Sequence, residues 1–190
     1  SNNYSGVLEI YGPPGTSKQV GMLKDTFGFD TNFEVKVVDA KPGIIFESKE
    51  FFIEAAELDH SVICYGYSIA EHDKRHINKS ATKKLGIPDG PVLKKLQEGK
   101  SIEWNGKKVS ADTATALEKG KKLTIISDTE LCKSCIDLAE EADLLICEST
   151  YLNEEETAKQ YKHMTAKQAA QAAKKSNAKK LVLMHLSQKY

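Results

Sequence analysis

The sequence lacks an apolar run near the roughly 18 residues that a membrane-spanning helix needs, so nothing in it predicts insertion into a bilayer. It also lacks a surplus of charge of either sign, because 27 basic side chains balance 27 acidic ones. Bulk charge therefore points to no class of partner. No signal peptide is evident, and we expect a soluble protein in a reducing, cytoplasmic setting.

The four cysteines give little support for a metal or redox site. Cys64 and Cys147 lie in apolar runs, as small core residues do. Cys132 and Cys135 form a CxxC motif, but no second pair and no histidine pair is near enough to predict structural zinc. A redox role has no stronger support, because the motif lacks the usual βαβ context near a chain start.

The stretch from Leu123 to Thr150 organises the chain. Two short apolar runs, 123–126 and 144–147, are bounded by polar residues and predict buried strands with a helix between them. Asp128 and Glu148 follow these runs at the carboxyl ends, where open α/β sheets place their chemistry.

Two histidines lie in similar positions farther along the chain. His163 precedes a predicted helix over 166–177, and His185 follows the apolar run 181–184. Carboxylates and imidazoles at element ends favour a metal-dependent site. Ordinary salt bridges within the fold are the alternative for each residue taken singly.

Residues 7–68 predict a strand (7–11), an amphipathic helix from Thr16 with Val20, Leu23 and Phe27 on its apolar face, and further strands at 33–38, 44–46, 51–56 and 62–68. His60 lies in a tight connection between two of these strands. The segment GPPGTSKQ, which follows the first predicted strand, resembles a P-loop. Ser17 stands where that motif needs glycine, and Gln19 stands where it needs a magnesium-binding hydroxyl, which argues against ATP binding.

Residues 71–120 differ in character from the rest of the chain. They are rich in lysine, broken by glycine and proline, and predict two short helices at 80–85 and 92–97. We interpret them as a protruding arm inserted into a single domain that spans 1–190. Between 71 and 100, eight basic side chains outnumber four acidic ones, which favours contact with a polyanion, with a merely solvated surface as the alternative.

In their order and spacing, several motifs resemble ribonuclease Z, the tRNA 3′-processing endonuclease family of the metallo-β-lactamase superfamily. The resemblance runs from Leu8 to Tyr190. The motifs are LEIYGPPGT, LDHSVICYGY, GIPDGP within the insert, ISDT, ADLLICEST, HMTA and MHLSQKY.

The resemblance implies an α/β fold, an αββα sandwich, with a site for two zinc ions. It makes His60, Asp128 and His185 metal ligands, with Asp128 bridging both ions. It makes His163 the proton donor to the leaving oxygen, and Glu148 the residue that holds its imidazole. The insert becomes an arm that grasps precursor tRNA, and family members are usually homodimers. The lysines expected to contact RNA are Lys79, Lys83, Lys84, Lys94, Lys95 and Lys189.

The chain departs from the family pattern chiefly by lacking His-x-His-x-Asp-His, the upstream motif that supplies three zinc ligands and a general base. We therefore expect the C-terminal two-thirds of such a fold, with an incomplete zinc site and no activity in isolation. Smaller departures are Ser127 for Gly, Cys147 for His, Met164 for Ser and Lys189 for Arg.

The parent function expected from the resemblance is zinc-dependent removal of the 3′ trailer from precursor tRNA. One alternative is a non-catalytic tRNA-binding or assembly subunit that a separate N-terminal piece completes. Another is a different phosphodiesterase of the same fold, which the basic insert argues against because a small substrate has no need of it.

Overall fold

The computed structural model describes residues 5–28 and 33–190. It divides the chain into two compact units: a first unit of Ser1–Ala70 with Lys122–Tyr190, and a second unit of Glu71–Lys121. No helix in the described part is both long and apolar enough to cross a membrane.

The chain alternates short strands with short helices. The strands are β1 (Val7–Gly12), β2 (Glu34–Asp39), β3 (Gly43–Glu47), β4 (Phe51–Leu58), β5 (Cys64–Glu71), β6 (Lys74–Ile77), β7 (Ile102–Trp104), β8 (Lys107–Val109), β9 (Thr115–Glu118), β10 (Lys122–Ile126), β11 (Leu144–Glu148) and β12 (Leu181–Met184). The helices are α1 (Thr16–Phe27), α2 (Lys79–Lys84), α3 (Pro91–Gln97), α4 (Ala111–Ala114), α5 (Lys133–Leu138), α6 (Glu155–Gln160) and α7 (Ala166–Lys175).

The main sheet of the first unit has the strand order β12-β11-β10-β5-β4-β3 in the described residues. Strands β10, β11 and β12 are parallel, and β5 runs antiparallel to β10. Parallel neighbouring strands need crossover connections. Helix α5 connects β10 to β11, and helices α6 and α7 lie in the connection from β11 to β12. The carboxyl ends of these three strands therefore meet at one edge of the sheet.

Helix α7 shows how local sequence sets this geometry. The Thr165 side chain accepts from the Gln168 backbone, and the Gln168 side chain accepts in return from the Thr165 backbone, so a capping box fixes the helix start as predicted. Its buried alanines let the helix pack closely in the core around Ile126 and Leu145, which have no exposed surface. Burial of each such large aliphatic side chain contributes about 1.5–3 kcal/mol.

The second unit has an apolar cluster of its own, which the composition of the insert did not lead us to expect. Its buried residues are Ile87, Leu93, Leu96, Ile102, Val109 and Ala114. The indole of Trp104 donates to the Gly86 carbonyl at 3.1 Å and packs against this cluster. Strands β6 and β9 pair antiparallel, as do β7 and β8.

Two expectations for the N-terminal region need correction. Helix α1 forms, but none of its residues is buried, and Leu23 and Phe27 are 51% and 65% exposed. The strand predicted from residue 62 begins instead at Cys64, because Val62 and Ile63 lie exposed in the preceding bend.

In the turn that resembles a P-loop, two backbone N–H groups donate to a carboxylate of the same chain. The backbone N–H groups of Gly15 and Ser17 donate to the Asp39 carboxylate, at 3.2 and 2.8 Å. These contacts hold the pKa of Asp39 below its ordinary value. A carboxylate from the same chain thus takes the place that a phosphate occupies in a P-loop.

Candidate metal centre

The strand register brings three of the predicted residues to one sheet edge. Ile126 pairs with Cys147, and Glu148 pairs with Met184 on the neighbouring parallel strand. Asp128 lies two residues beyond Ile126, and His185 directly follows Met184. His185 has a φ of 58°, a left-handed conformation that residues other than glycine rarely adopt.

Glu148 is the buried centre of this edge and has no exposed surface. One carboxylate oxygen accepts from the Thr129 backbone N–H and from His163 Nδ1, both at 2.9 Å. The other accepts from the Thr150 backbone N–H at 3.0 Å and from the Thr150 hydroxyl at 2.9 Å. Four donors therefore compensate the burial of this carboxylate, and His163 carries its proton on Nδ1.

The Thr150 hydroxyl sets the orientation of a second imidazole. Because a carboxylate can only accept hydrogen bonds, the Thr150 hydroxyl donates its hydrogen to Glu148. It must therefore accept from His185 Nδ1, which lies 2.8 Å away. The Nε2 of neutral His185 then keeps its lone pair. Asp128 Oδ1 lies 3.4 Å from the same Nδ1.

His60 is oriented in the same way from a different segment. Its Nδ1 donates to the Lys162 carbonyl at 2.9 Å, which leaves Nε2 of the neutral ring with a lone pair. The Lys162 ammonium pairs with the Asp59 carboxylate at 2.6 Å, so the loop before His60 is held to the turn before His163. This pairing lowers the pKa of Asp59 and raises that of Lys162.

Two overlapping groups of side chains have ligand atoms close enough to share a metal ion. His60, Asp128 and His163 form the first, and Glu148, His163 and His185 form the second, with ligand atoms within 4.8 Å of one another in each. The ring centroids of His60 and His185 lie 5.0 and 5.3 Å from that of His163. The site is thus a row of three imidazoles flanked by two carboxylates.

These donors fit a metal such as zinc. Neutral imidazole nitrogens and carboxylate oxygens are its usual ligands, and fixed partners on the opposite ring nitrogens orient them. All three imidazoles are held through Nδ1, and His163 differs from His60 and His185 in that its partner is the buried carboxylate of Glu148. Two sets of three cannot supply two full shells while sharing His163.

The predicted RNA-binding lysines are divided between the two units. Lys79, Lys83 and Lys84 lie on α2, and Lys94 and Lys95 lie on α3, all exposed in the second unit.

Lys189 lies in the first unit, and its ammonium pairs with Glu154 at 2.8 Å. Hydrogen bonds from Lys189 and Tyr190 lower the pKa of Glu154 to about 2. A phosphate would have to compete with that carboxylate.

Sequence reasoning missed two residues that orient the imidazoles. Thr150 touches Glu148, His163 and His185, and Lys162 holds His60. Thr150 could have been suspected, because it stands two residues after Glu148 at the same strand end. Lys162 gives no such signal, since its contact to His60 uses a backbone carbonyl.

The amino-acid sequence of this chain is similar to those of several known proteins. Residues 98–186 match the family described as Beta-lactamase superfamily domain. Ribonuclease Z from Bacillus mycoides (strain KBAB4) is 35% identical over 189 residues, which cover 96% of this chain and 61% of that protein. Ribonuclease Z from Picosynechococcus sp. is also 35% identical, with 96% of this chain and 59% of that protein covered. The chain thus spans about three fifths of the length of these relatives.

Solved structures agree on the fold. Human tRNase Z, short form, has a TM-score of 0.60 at 22% identity, with 95% of this chain and 61% of that chain covered. The metallo-β-lactamase fold protein YhfI from Bacillus subtilis has a TM-score of 0.57 at 20% identity, with 95% and 53% covered. The predicted metallo-β-lactamase-like fold is thereby confirmed.

Proposed function

We propose that this chain belongs with ribonuclease Z in the metallo-β-lactamase superfamily and carries part of the active site of a zinc-dependent endoribonuclease that removes the 3′ trailer from precursor tRNA. The observation that carries the proposal is the convergence of His60, His163 and His185 with Asp128 and Glu148 at one sheet edge. Such a cluster suits metal-assisted hydrolysis of a phosphodiester.

We propose that His60, Asp128 and His185 are metal ligands and that His163, the ring paired with a buried carboxylate, is the proton donor. His60 and His185 offer Nε2 lone pairs, and Asp128 offers carboxylate oxygens that two ions could share. When bound there, zinc would lower the pKa of a coordinated water and polarise a phosphoryl oxygen.

We assign proton transfer to His163. Glu148 fixes its Nδ1–H, which points Nε2 away from the buried carboxylate. In its protonated form, His163 donates from Nε2 to the oxygen that leaves phosphorus. Glu148 holds the ring in place and stabilises the imidazolium, as a buried carboxylate does in other acid–base pairs.

Ligand count limits what these 190 residues do alone. A catalytic zinc takes about three protein ligands and a water, and a two-zinc site needs more donors than His60, Asp128 and His185 provide. We propose that the remaining donors come from a segment corresponding to the part of the relatives that the match leaves out. The completed enzyme is here the chain supplied with that segment of the Bacillus mycoides protein.

Removing the proton donor should slow chemistry without loss of metal. In the completed enzyme, His163→Ala should lower kcat about 10²–10⁴-fold while zinc content stays unchanged. A substrate with sulfur in place of the leaving oxygen needs no proton donor, so its cleavage should be nearly insensitive to the change. Equal loss on both substrates would contradict a proton-donating role.

The five exposed lysines of α2 and α3 should contribute RNA affinity. Replacing Lys83, Lys84, Lys94 and Lys95 with Ala should flatten the slope of log K against log salt for tRNA binding by up to about three, because released counterions track phosphate contacts. In the completed enzyme KM should rise while kcat holds.

The matched control for the lysine variant is four Lys→Ala changes at exposed positions of the first unit, Lys18, Lys24, Lys41 and Lys49. It alters net charge equally and should leave the salt slope nearly intact. If both variants flatten the slope to the same extent, the binding reflects net charge and not a surface of the second unit.

A further inference from the structure

Cys132 and Cys135 lie close enough to form a disulfide bond after a small movement. Their sulfur atoms are 3.0 Å apart, and a disulfide bond is about 2.05 Å long, so closure requires a movement of about 1 Å. Cys132 is half-buried and reachable from solvent, whereas Cys135 is fully buried. Each thiol therefore has a different access to a reagent.

The surroundings of the pair differ from the expectation drawn from sequence. The motif opens α5, the crossover helix between the parallel strands β10 and β11, which is the βαβ context that a redox CxxC ordinarily has. The distance of the motif from the chain start was therefore a poor reason to set a redox role aside.

We propose that Cys132 and Cys135 form a redox-active dithiol that exchanges with low-molecular-weight disulfides and closes to an intramolecular disulfide. The chemistry is independent of the proposed hydrolytic function. It adds a modification site on the loop that follows Asp128.

The two sulfurs have distinct parts in the exchange. Cys132 attacks one sulfur of the reagent, forms a mixed disulfide and expels the other sulfur as a thiolate. Cys135 then attacks the Cys132 sulfur and expels the second thiol. Two electrons pass from the two cysteines to the reagent's S–S bond, and their two protons end on the two released thiols.

The hydrogen bonds of the pair favour this order. A hydrogen bond from Cys135 lowers the pKa of Cys132 to about 4, against the opposing effect of burial. The same contact, together with burial, raises the pKa of Cys135. The accessible sulfur is thus the one held as a thiolate, and thiolates are the attacking species.

The dithiol also touches the loops of the candidate metal centre. The Thr129 hydroxyl lies 3.8 Å from Cys132 Sγ and 4.0 Å from Cys135 Sγ. The same hydroxyl accepts from the Asp59 backbone N–H at 3.0 Å, next to His60. Closure of the disulfide therefore changes the packing of a residue that joins two loops of the site.

The test is reaction of the metal-free chain with oxidised glutathione, followed by digestion after glutamate and mass measurement. The peptide 131–140 contains both cysteines of the pair, and Cys147 lies in a different peptide. That peptide should lose two hydrogens and carry no glutathione. Cys64→Ser is the matched control, because Cys64 is also half-buried, and it should leave this outcome unchanged.

Variants of the pair separate the two steps. Cys135→Ser should trap glutathione on Cys132, at roughly ten times or more the wild-type level, because the resolving thiol is gone. Cys132→Ser should react little, since Cys135 is buried. Free thiols in the wild-type peptide, a stable glutathione adduct on it, or a disulfide through Cys64 or Cys147 would each overturn the proposal, and these readings do not depend on how any variant folds.

Discussion

Glu148→Gln should destabilise the chain by about 2–3 kcal/mol, although it changes neither the size nor the shape of the side chain. The carboxylate faces a backbone N–H at each of its two oxygens, from Thr129 on one side and Thr150 on the other. An amide has one oxygen and one NH₂ group. In either orientation of the substituted amide, the NH₂ group faces a buried backbone N–H group, so one of these donors has no acceptor.

Urea unfolding of the chain measures this effect, with the m-value unchanged if both variants unfold to the same state. Glu155→Gln is the matched control, because Glu155 pairs with Lys167 on the exposed surface, where such pairs contribute about 0–1 kcal/mol. A loss below about 1 kcal/mol for Glu148→Gln would mean that the four-donor arrangement does not hold in solution.

Asp128→Asn should have the opposite profile, with little change in stability and a large loss of metal affinity. Its side chain is 40% exposed, so removal of the charge should alter the free energy of unfolding by no more than about 0.5 kcal/mol. Zinc affinity should fall more than about 100-fold, because loss of an oriented partner of a ligand alone costs 10–100-fold.

Competition of the completed enzyme with a chromophoric chelator measures the zinc affinity of the variant. Asp137→Asn is the control, because Asp137 is an exposed carboxylate that pairs with Lys133 on α5. Equal zinc affinity for the completed enzyme with and without Asp128→Asn would remove Asp128 from the set of ligands.

The contrast between these two carboxylates was only partly predictable from sequence. Both follow apolar runs, and parallel pairing of β10 with β11 places them at one edge, as the pattern indicated. The sequence does not distinguish the buried, fully bonded Glu148 from the half-exposed Asp128. That difference arises from Thr129 and Thr150, whose donors reach Glu148 only after the loops have folded.

Other parts of the structure depend on contacts that periodicity does not encode. The apolar face of α1 was predicted from spacing, but spacing does not say what covers a face, and Leu23 and Phe27 are exposed. His60 was assigned by resemblance, and the bond that orients its ring comes from a carbonyl about a hundred residues later, at Lys162. A backbone acceptor leaves no mark in the amino-acid sequence.

Cleavage of a precursor tRNA bearing a 3′ trailer is the most direct measurement of the proposed function. The 190-residue chain alone should release no trailer and bind zinc at no more than one weak site. The completed enzyme should release it in a zinc-dependent reaction that chelation stops and Asp128→Asn abolishes. Full activity with two tightly bound zinc ions in the isolated chain, or cleavage by the completed enzyme that Asp128→Asn leaves unchanged, would contradict the proposed site.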